Sequence, residues 1–246
     1  MTGIIISGCN GRMGRAVAER IAARDDCRVV AGIDKNTSPL DFPVFASAEE
    51  CTAQADVIID FSNPSALPAL LNFAVERKIP AVIATTGISG EGRALIDGAA
   101  GTVPVFFSAN MSLGVSLLVE LAKKAASVLG DDFDIEIVEK HHNQKLDAPS
   151  GTALMIADAI ANGKRYVYDR HGERRRRGRD EIGIHSIRGG NIVGEHEVIF
   201  AGTDEVITLS HSAASRGVFA VGAVNAALFL IGKQPGVYDM GDLIAE

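Results

Sequence analysis

Residues 2–34 read TGIIISGCNGRMGRAVAERIAARDDCRVVAGID. A short apolar run, GIIIS, gives way to three glycines, Gly8, Gly11 and Gly14. Beyond them Val17, Ala18, Ile21 and Ala22 recur at helical spacing on one face. A second β-branched run, RVVAGID, then closes on the carboxylate of Asp34. Strand, glycine loop, helix, strand and acid in this order predict a βαβ unit that binds a dinucleotide. Glycine allows a tight turn and close backbone approach to a pyrophosphate, whose charge a helix N-terminus stabilises. A GxxGxxG spacing by itself serves equally for close helix packing; the acid some two dozen positions later favours the nucleotide reading. Asp34 suits the hydroxyls of an adenosine ribose and so favours NAD, whereas Lys35 beside it suits a 2′-phosphate and leaves NADP open.

The same rhythm continues outward. ADVIIDF, PAVIATT and VPVFFS are apolar runs of strand length, as expected of parallel strands covered on both faces. Asn63 and Pro64 fit the cap and first turn of a helix reaching Lys78. The expected fold here is a Rossmann-like, doubly wound α/β domain. ATTG (Ala84, Thr85, Thr86, Gly87) and SAN (Ser108, Ala109, Asn110) fall at the carboxyl ends of two strands, where ligands of open α/β sheets bind. Past Ser112 the pattern changes to a long helix, the strand FDIEIVE, a helix opening SGTALMIADAIA, and the strands EIGIHSIRGG, NIVGEHEVIFAG and EVITLSHSAAS. This predicts an α+β domain with a mainly antiparallel sheet. The expected division is residues 1–111 with about 217–246 as the dinucleotide domain, and 112–216 as a second domain.

Composition narrows the function. The 246 residues are 47% apolar and 22% charged, with a formal net charge of −7 that argues against nucleic acid as partner. Cys9, Cys27 and Cys51 are odd in number and lack CxxC spacing, the pattern of reduced cytosolic thiols. The start of the chain has no basic region before its apolar run, and VFAVGAVNAALFLIG from Val218 is short for a membrane span, so a cytoplasmic protein is expected. The arginine run from Arg174 to Arg179 reads as a solvated, mobile loop.

Residues 139–152, EKHHNQKLDAPSGT, concentrate chemistry. Lys140, His141, His142 and Lys145 supply cations or proton donors, and Asp147 is the one acid between Lys140 and Thr152. Such an excess suits an anionic substrate and proton transfer near neutrality. Ser150, Gly151 and Thr152 open a helix, whose N-terminus favours a carboxylate. A buried structural histidine and an ordinary serine cap are the plainer reading of the same residues. No HExxH or cysteine partner suggests a metal, and no GxSxG suggests hydrolysis. His171, His185, His196 and His211 lack ligand spacing and read as structural.

GCNGRMGR, IDFSNP, ATTG, SANMSLGV, EKHHNQKLDAPSGTA, EIGIHSIRGGNIVGEHEVIF and GVYDM together resemble the 4-hydroxy-tetrahydrodipicolinate reductase (dihydrodipicolinate reductase) family of bacterial lysine and diaminopimelate synthesis. The resemblance spans almost the whole chain, and the histidine and lysine motif before DAPSGTA is its most specific part. It implies NAD(P)H-dependent reduction with loss of water and no metal. Gly8, Cys9, Asn10, Gly11, Arg12 and Met13 would hold the pyrophosphate, and Asp34 with Lys35 would select the ribose. Ala84, Thr85 and Thr86, with Ser108, Ala109, Asn110 and Met111, would contact the nicotinamide half. His141 matches a proton donor or acceptor, Lys145 a proton donor, and His142, Gly151 and Thr152 substrate-binding groups. Ala84 and Met111 stand where the family commonly has glycine and phenylalanine. A homotetramer is also implied, with residues 112–216 as the substrate-binding and oligomerisation domain. The competing readings are a different NAD(P)-dependent amino-acid dehydrogenase, or a dinucleotide-sensing regulator without turnover, which has no need of Lys145 and His141.

Overall fold

The computed structural model describes residues 1–172 and 174–245. Glu246, the end of the segment expected to close the dinucleotide domain, lies outside them. The chain forms two units, Met1–Leu113 with Gly217–Glu246 and Gly114–Arg216.

The first unit is built on a seven-stranded sheet. Its strands are β1 (Thr2–Ser7), β2 (Cys27–Ile33), β3 (Val44–Phe45), β4 (Val57–Asp60), β5 (Ala81–Ile83), β6 (Pro104–Phe107) and β12 (Gly236–Tyr238). They lie in the order β12-β6-β5-β4-β1-β2-β3, all neighbours parallel. Alternation along β1 explains why the run is continuously apolar. Ile4 and Ile6 enter one core with Val17 and Ile21 of α1 (Arg12–Ala22) and Ala223 and Ala227 of α6 (Gly217–Phe229). Ile5 enters the opposite core with Leu70 and Leu71 of α2 (Leu67–Arg77) and Ile96 of α3 (Gly90–Ala100). Each fully buried isoleucine contributes about 1.5–3 kcal/mol. α2 begins as the capping pattern suggests: Asn63 accepts from the Ser65 N–H at 3.0 Å, a 3₁₀ turn follows over Pro64–Ala66, and Lys78 ends the helix in the left-handed conformation. β2 and β4 flank β1 on opposite sides, so the chain direction across the sheet reverses there and opens a crevice at the strands' carboxyl ends.

The second unit carries a five-stranded sheet in the order β11-β10-β7-β9-β8. Its strands are β7 (Asp134–His141), β8 (Arg165–Val167), β9 (Glu181–Arg188), β10 (Glu195–Ala201) and β11 (Val206–Ser212). α4 (Leu113–Leu129) and α5 (Gly151–Ile160) cover one face, packing Leu118, Ala122, Ile156 and Ile160 on Ile135, Ile137, Ile184 and Phe200. The sheet is mixed: β7, β10 and β11 form the antiparallel half, while β9 runs parallel to both β7 and β8. Parallel neighbours need crossover connections. α5 lies in one, and the arginine-rich stretch between β8 and β9 lies in the other. Arg174, Arg175, Arg176 and Arg179 are exposed, as the solvated reading expects, but parts of the stretch are tied to the sheet. Arg177 donates to Asp134 at 2.8 Å, Glu136 at 2.9 Å and the Ile135 carbonyl at 2.9 Å. Arg170 and Arg175 converge on the buried Glu181, whose carboxyl Arg170 above all holds at about 2. Sequence alone missed this because the partner acids sit on other strands.

Candidate active site

In the first unit the predicted cofactor residues collect at the carboxyl ends of the parallel strands. Gly8 has φ +78°, and a Cβ there would lie 2.7 Å from the Phe61 carbonyl, so the turn after β1 abuts the one after β4. Gly14 is tighter still: its Cβ would fall on the Gly8 carbonyl oxygen and 2.6 Å from the Cys9 Cα. Gly11 is the N-cap of α1 and brings no side chain to its first turn, which holds no acid. Arg12 and Met13 start that helix. An anion suits such a cradle through backbone N–H groups and the helix dipole.

Asp34 anchors the loop. Its carboxylate accepts from the Asn10 N–H at 2.9 Å and the Asn36 N–H at 2.9 Å, and the Asn10 amide donates onward to the carbonyls of Asn36 and Ser38. Gly8, Gly11, Asp34, Lys35, Glu49 and Ser62 border a cleft of about 550 Å³. The Cys9 thiol is fully buried, and burial first, then the Asp34 carboxylate, pushes it up to about 11.

Ala84–Thr86 and Ser108–Met111 follow β5 and β6 and lie outside that cleft's lining. Asp60, buried at the end of β4, accepts from the Ser62 hydroxyl at 2.6 Å and the Thr85 hydroxyl at 2.7 Å, fixing two of the loops. Ser108 donates its hydroxyl to the Asn110 carbonyl at 2.8 Å, and Asn110 accepts from the Ser112 N–H at 2.9 Å. Met111 is buried, with its carbonyl against Gly222 of α6. Asp60 was not among the sequence candidates. Its signal was an acid closing an apolar strand run, the same signal that marks Asp34.

In the second unit, β7 alternates Ile135, Ile137, Glu139 and His141 onto its covered face. Glu139 has no accessible surface, yet four donors surround it. The Arg188 guanidinium contributes two bonds at 2.7 Å, His141 Nδ1 one at 2.6 Å and the Ser150 N–H one at 3.0 Å. Burial favours the neutral acid, but Arg188 and then His141 outweigh it and hold Glu139 at about 2. His141 is pushed below its ordinary value by burial, against the upward pull of Glu139. Ser150 caps α5, accepting from the Ala153 N–H at 3.2 Å, and its hydroxyl shares a 3.1 Å hydrogen bond with His196 Nε2. Burial lowers His196 to about 4.

Between His141 and Ser150 the chain loops outward. Lys145 is mostly covered and pairs with Asp147 at 2.9 Å, His142 is half-buried, and Leu146 is 98% exposed. Arg188 also donates to the Asp147 carbonyl at 2.6 Å. Predicted His141, His142, Lys145, Ser150, Gly151 and Thr152 therefore share one end of the unit, around β7 and the start of α5. Glu139 and Arg188, which the sequence reading passed over, join them, as does His196, which it read as structural. Glu139 was legible as an acid at an inward strand position; Arg188 and His196 depend on pairing across strands. Among the described residues no group of three His, Cys, Asp or Glu side chains is placed to hold a metal ion, and no helix is long and apolar enough to cross a membrane.

Residues 2–111 match the family described as "Dihydrodipicolinate reductase, N-terminus", and residues 114–244 match "Dihydrodipicolinate reductase, C-terminus". A 4-hydroxy-tetrahydrodipicolinate reductase of Caldanaerobacter subterraneus subsp. tengcongensis is 57% identical, over 100% of this chain and 99% of its own. One from Clostridium tetani is 48% identical over 98% of this chain and 96% of its own. A dipicolinate-bound dihydrodipicolinate reductase from Paenisporosarcina superposes with a TM-score of 0.80 at 25% identity, covering 97% of both chains. A Corynebacterium glutamicum DAP dehydrogenase in complex with DAP shares the fold, with a TM-score of 0.61 at 16% identity over 97% of this chain and 92% of its own.

Proposed function

The chain belongs to the dihydrodipicolinate reductase family, and on that premise we propose how its two units divide the work of reducing 4-hydroxy-tetrahydrodipicolinate to tetrahydrodipicolinate with loss of water. The enzyme is a nicotinamide-dependent oxidoreductase of lysine and diaminopimelate biosynthesis. The observation that carries the division is the pairing of a glycine cradle closed by Asp34 in one unit with the Glu139–His141–Lys145 cluster in the other.

The first unit fits a dinucleotide because glycine at Gly8 and Gly14 lets the β1–α1 turn close tightly against its backbone neighbours, and because the N-cap of α1 brings no side chain of its own. Gly8–Met13 hold the pyrophosphate; Ala84–Thr86 and Ser108–Met111 contact the nicotinamide half. NADH is the favoured coenzyme: Asp34 and Glu49 place two carboxylates on the cleft against the single cation Lys35, an arrangement that disfavours a 2′-phosphate. When bound, the nicotinamide would supply hydride to the carbon that loss of the 4-hydroxyl as water leaves conjugated with the substrate's ring imine.

The second unit supplies position and protons. The start of α5 at Ser150, Gly151 and Thr152, with His142, binds the substrate's carboxylates through N–H groups and the helix dipole. Lys145 or His141 delivers the proton that the electron-rich carbon needs once hydride has arrived. Holding the carboxylates also fixes the reacting carbon, converting binding into proximity. We place the enzyme in the cytoplasm, consistent with three buried free thiols. The sheet face opposite α4 and α5, which exposes Ile187 and Val206, supports assembly into a homotetramer.

The test couples the protein to dihydrodipicolinate synthase, pyruvate and aspartate semialdehyde and follows oxidation of NADH and NADPH separately. Oxidation that requires both proteins, faster with NADH, is expected. Lys145→Ala and His141→Ala should each lower kcat by about a hundredfold or more with dinucleotide Kd unchanged. Unchanged turnover in either variant removes that residue from the mechanism, and no oxidation by the parent protein removes the reaction.

A further inference from the structure

The inward face of β7 reads Ile135, Ile137, Glu139, His141, and its third position breaks the apolar pattern with a carboxylate that has no accessible surface. A buried carboxylate is costly unless it is paired and hydrogen-bonded, and packing alone would be served by another isoleucine. Both oxygens of Glu139 are doubly engaged. Oε1 accepts from Arg188 Nη2 at 2.7 Å and the Ser150 N–H at 3.0 Å; Oε2 accepts from Arg188 Nη1 at 2.7 Å and His141 Nδ1 at 2.6 Å. One group thereby joins β7, β9 and the start of α5.

We propose that Glu139 is a positioning residue for this reaction: clamped by Arg188, it holds the Nδ1 proton of His141 so that Nε2 is the ring nitrogen presented for proton exchange. The inference rests on the proposed role of His141. An ionised carboxylate only accepts hydrogen bonds, so Nδ1 carries its proton whether the ring is neutral or charged, and every gain or loss of a proton falls on Nε2. The surroundings agree. The His141 ring packs edge-on against His196, with centroids 5.2 Å apart and planes at 73°, which sets its plane. A side-chain carbon at residue 194 would lie 3.1 Å from Nε2, and that residue is Gly194. The charged and titratable groups facing the ring are Glu139 on its own strand, Arg188 on β9, His196 on β10 and Lys145 in the following loop. Glu139 draws His141 toward the charged form, whereas Arg188 and Lys145 oppose it.

The test reads His141 directly, by ¹⁵N NMR of its imidazole across a pH titration, beside coupled turnover of the same samples. In the parent protein the neutral ring should be the Nδ1–H tautomer. Glu139→Gln removes the anion, so the His141 midpoint should fall, the tautomer preference should weaken, and kcat should drop by about tenfold or more with substrate KM little changed. Arg188→Met removes the opposing cation, so the midpoint should rise. Opposite displacements from two neighbouring substitutions are not produced by loosened packing alone. Should Glu139→Gln fail to fold, Arg188→Met decides by itself: a raised midpoint supports the proposal, and an unchanged or lowered one overturns it. An Nε2–H tautomer in the parent protein, or no displacement in either variant, also overturns it. Absence of turnover in the parent protein would instead count against the reaction assigned to the family fold, while the titration still decides what Glu139 does to His141.

Discussion

Glu139 and His196 are buried titratable residues on adjacent strands, paired in register, and both lose by acidification. The folded state holds Glu139 at about 2 against an ordinary 4.5, so its stabilisation is fully present above the unfolded value and fades as pH falls from 4.5 toward 2. His196 is depressed to about 4 from 6.5, so the unfolded state binds its proton first and stability falls between pH 6.5 and 4. Each displacement corresponds to about 3 kcal/mol. Urea unfolding at a series of pH values should show loss beginning below pH 6.5, and His196→Gln should flatten the upper window while leaving the lower one. An unchanged slope between pH 6.5 and 4 in that variant would assign the loss to other groups. At this scale the sequence discloses density more readily than partnership. His141, Lys145 and Ser150 stand out because they crowd one short stretch, but Arg188 lies 49 positions from Glu139 and only the β7–β9 pairing brings it there.

The element proposed to hold the cofactor's pyrophosphate is the β1–α1 turn, and its glycines are not equivalent. A Cβ at Gly14 would meet backbone of both Gly8 and Cys9, neither of which can rotate away, so α1 must separate from β1. A Cβ at Gly11 would meet the Gly8 carbonyl at 3.1 Å, a contact that a small shift relieves. Gly14→Ala should therefore cost about 1–3 kcal/mol of stability and weaken NADH binding by about tenfold or more, with Gly11→Ala clearly milder in both. Thermal unfolding and fluorescence titration with NADH measure the two effects; equal losses in the two variants would contradict this account of the turn. The longer elements of this unit were legible because apolar runs and caps act locally. β3 and β12, with two and three residues, are too short to show a period, and their pairing with β2 and β6 alone defines them. β8 escaped for the same reason, and with it the crossovers that make the second sheet mixed.

Across the whole molecule, the division of labour follows from two local grammars. Parallel strands buried on both faces build the nucleotide unit, and half-buried alternating strands under two helices build the other. The sequence distinguished them by the change of rhythm after Ser112, and the motif EKHHNQKLDAPSGT holds the proposed site residues together with Glu139, its own first residue, whose partners no local spacing marks. The central claim is that hydride passes from a nicotinamide to an imine dicarboxylate on this protein. It is tested most directly with NADH deuterated at C4 on the transferred side, synthase-generated substrate and mass spectrometry of the product. The account predicts tetrahydrodipicolinate carrying one deuterium, formed only when this protein is present. Oxidation of the labelled coenzyme without deuterium in the product would contradict it.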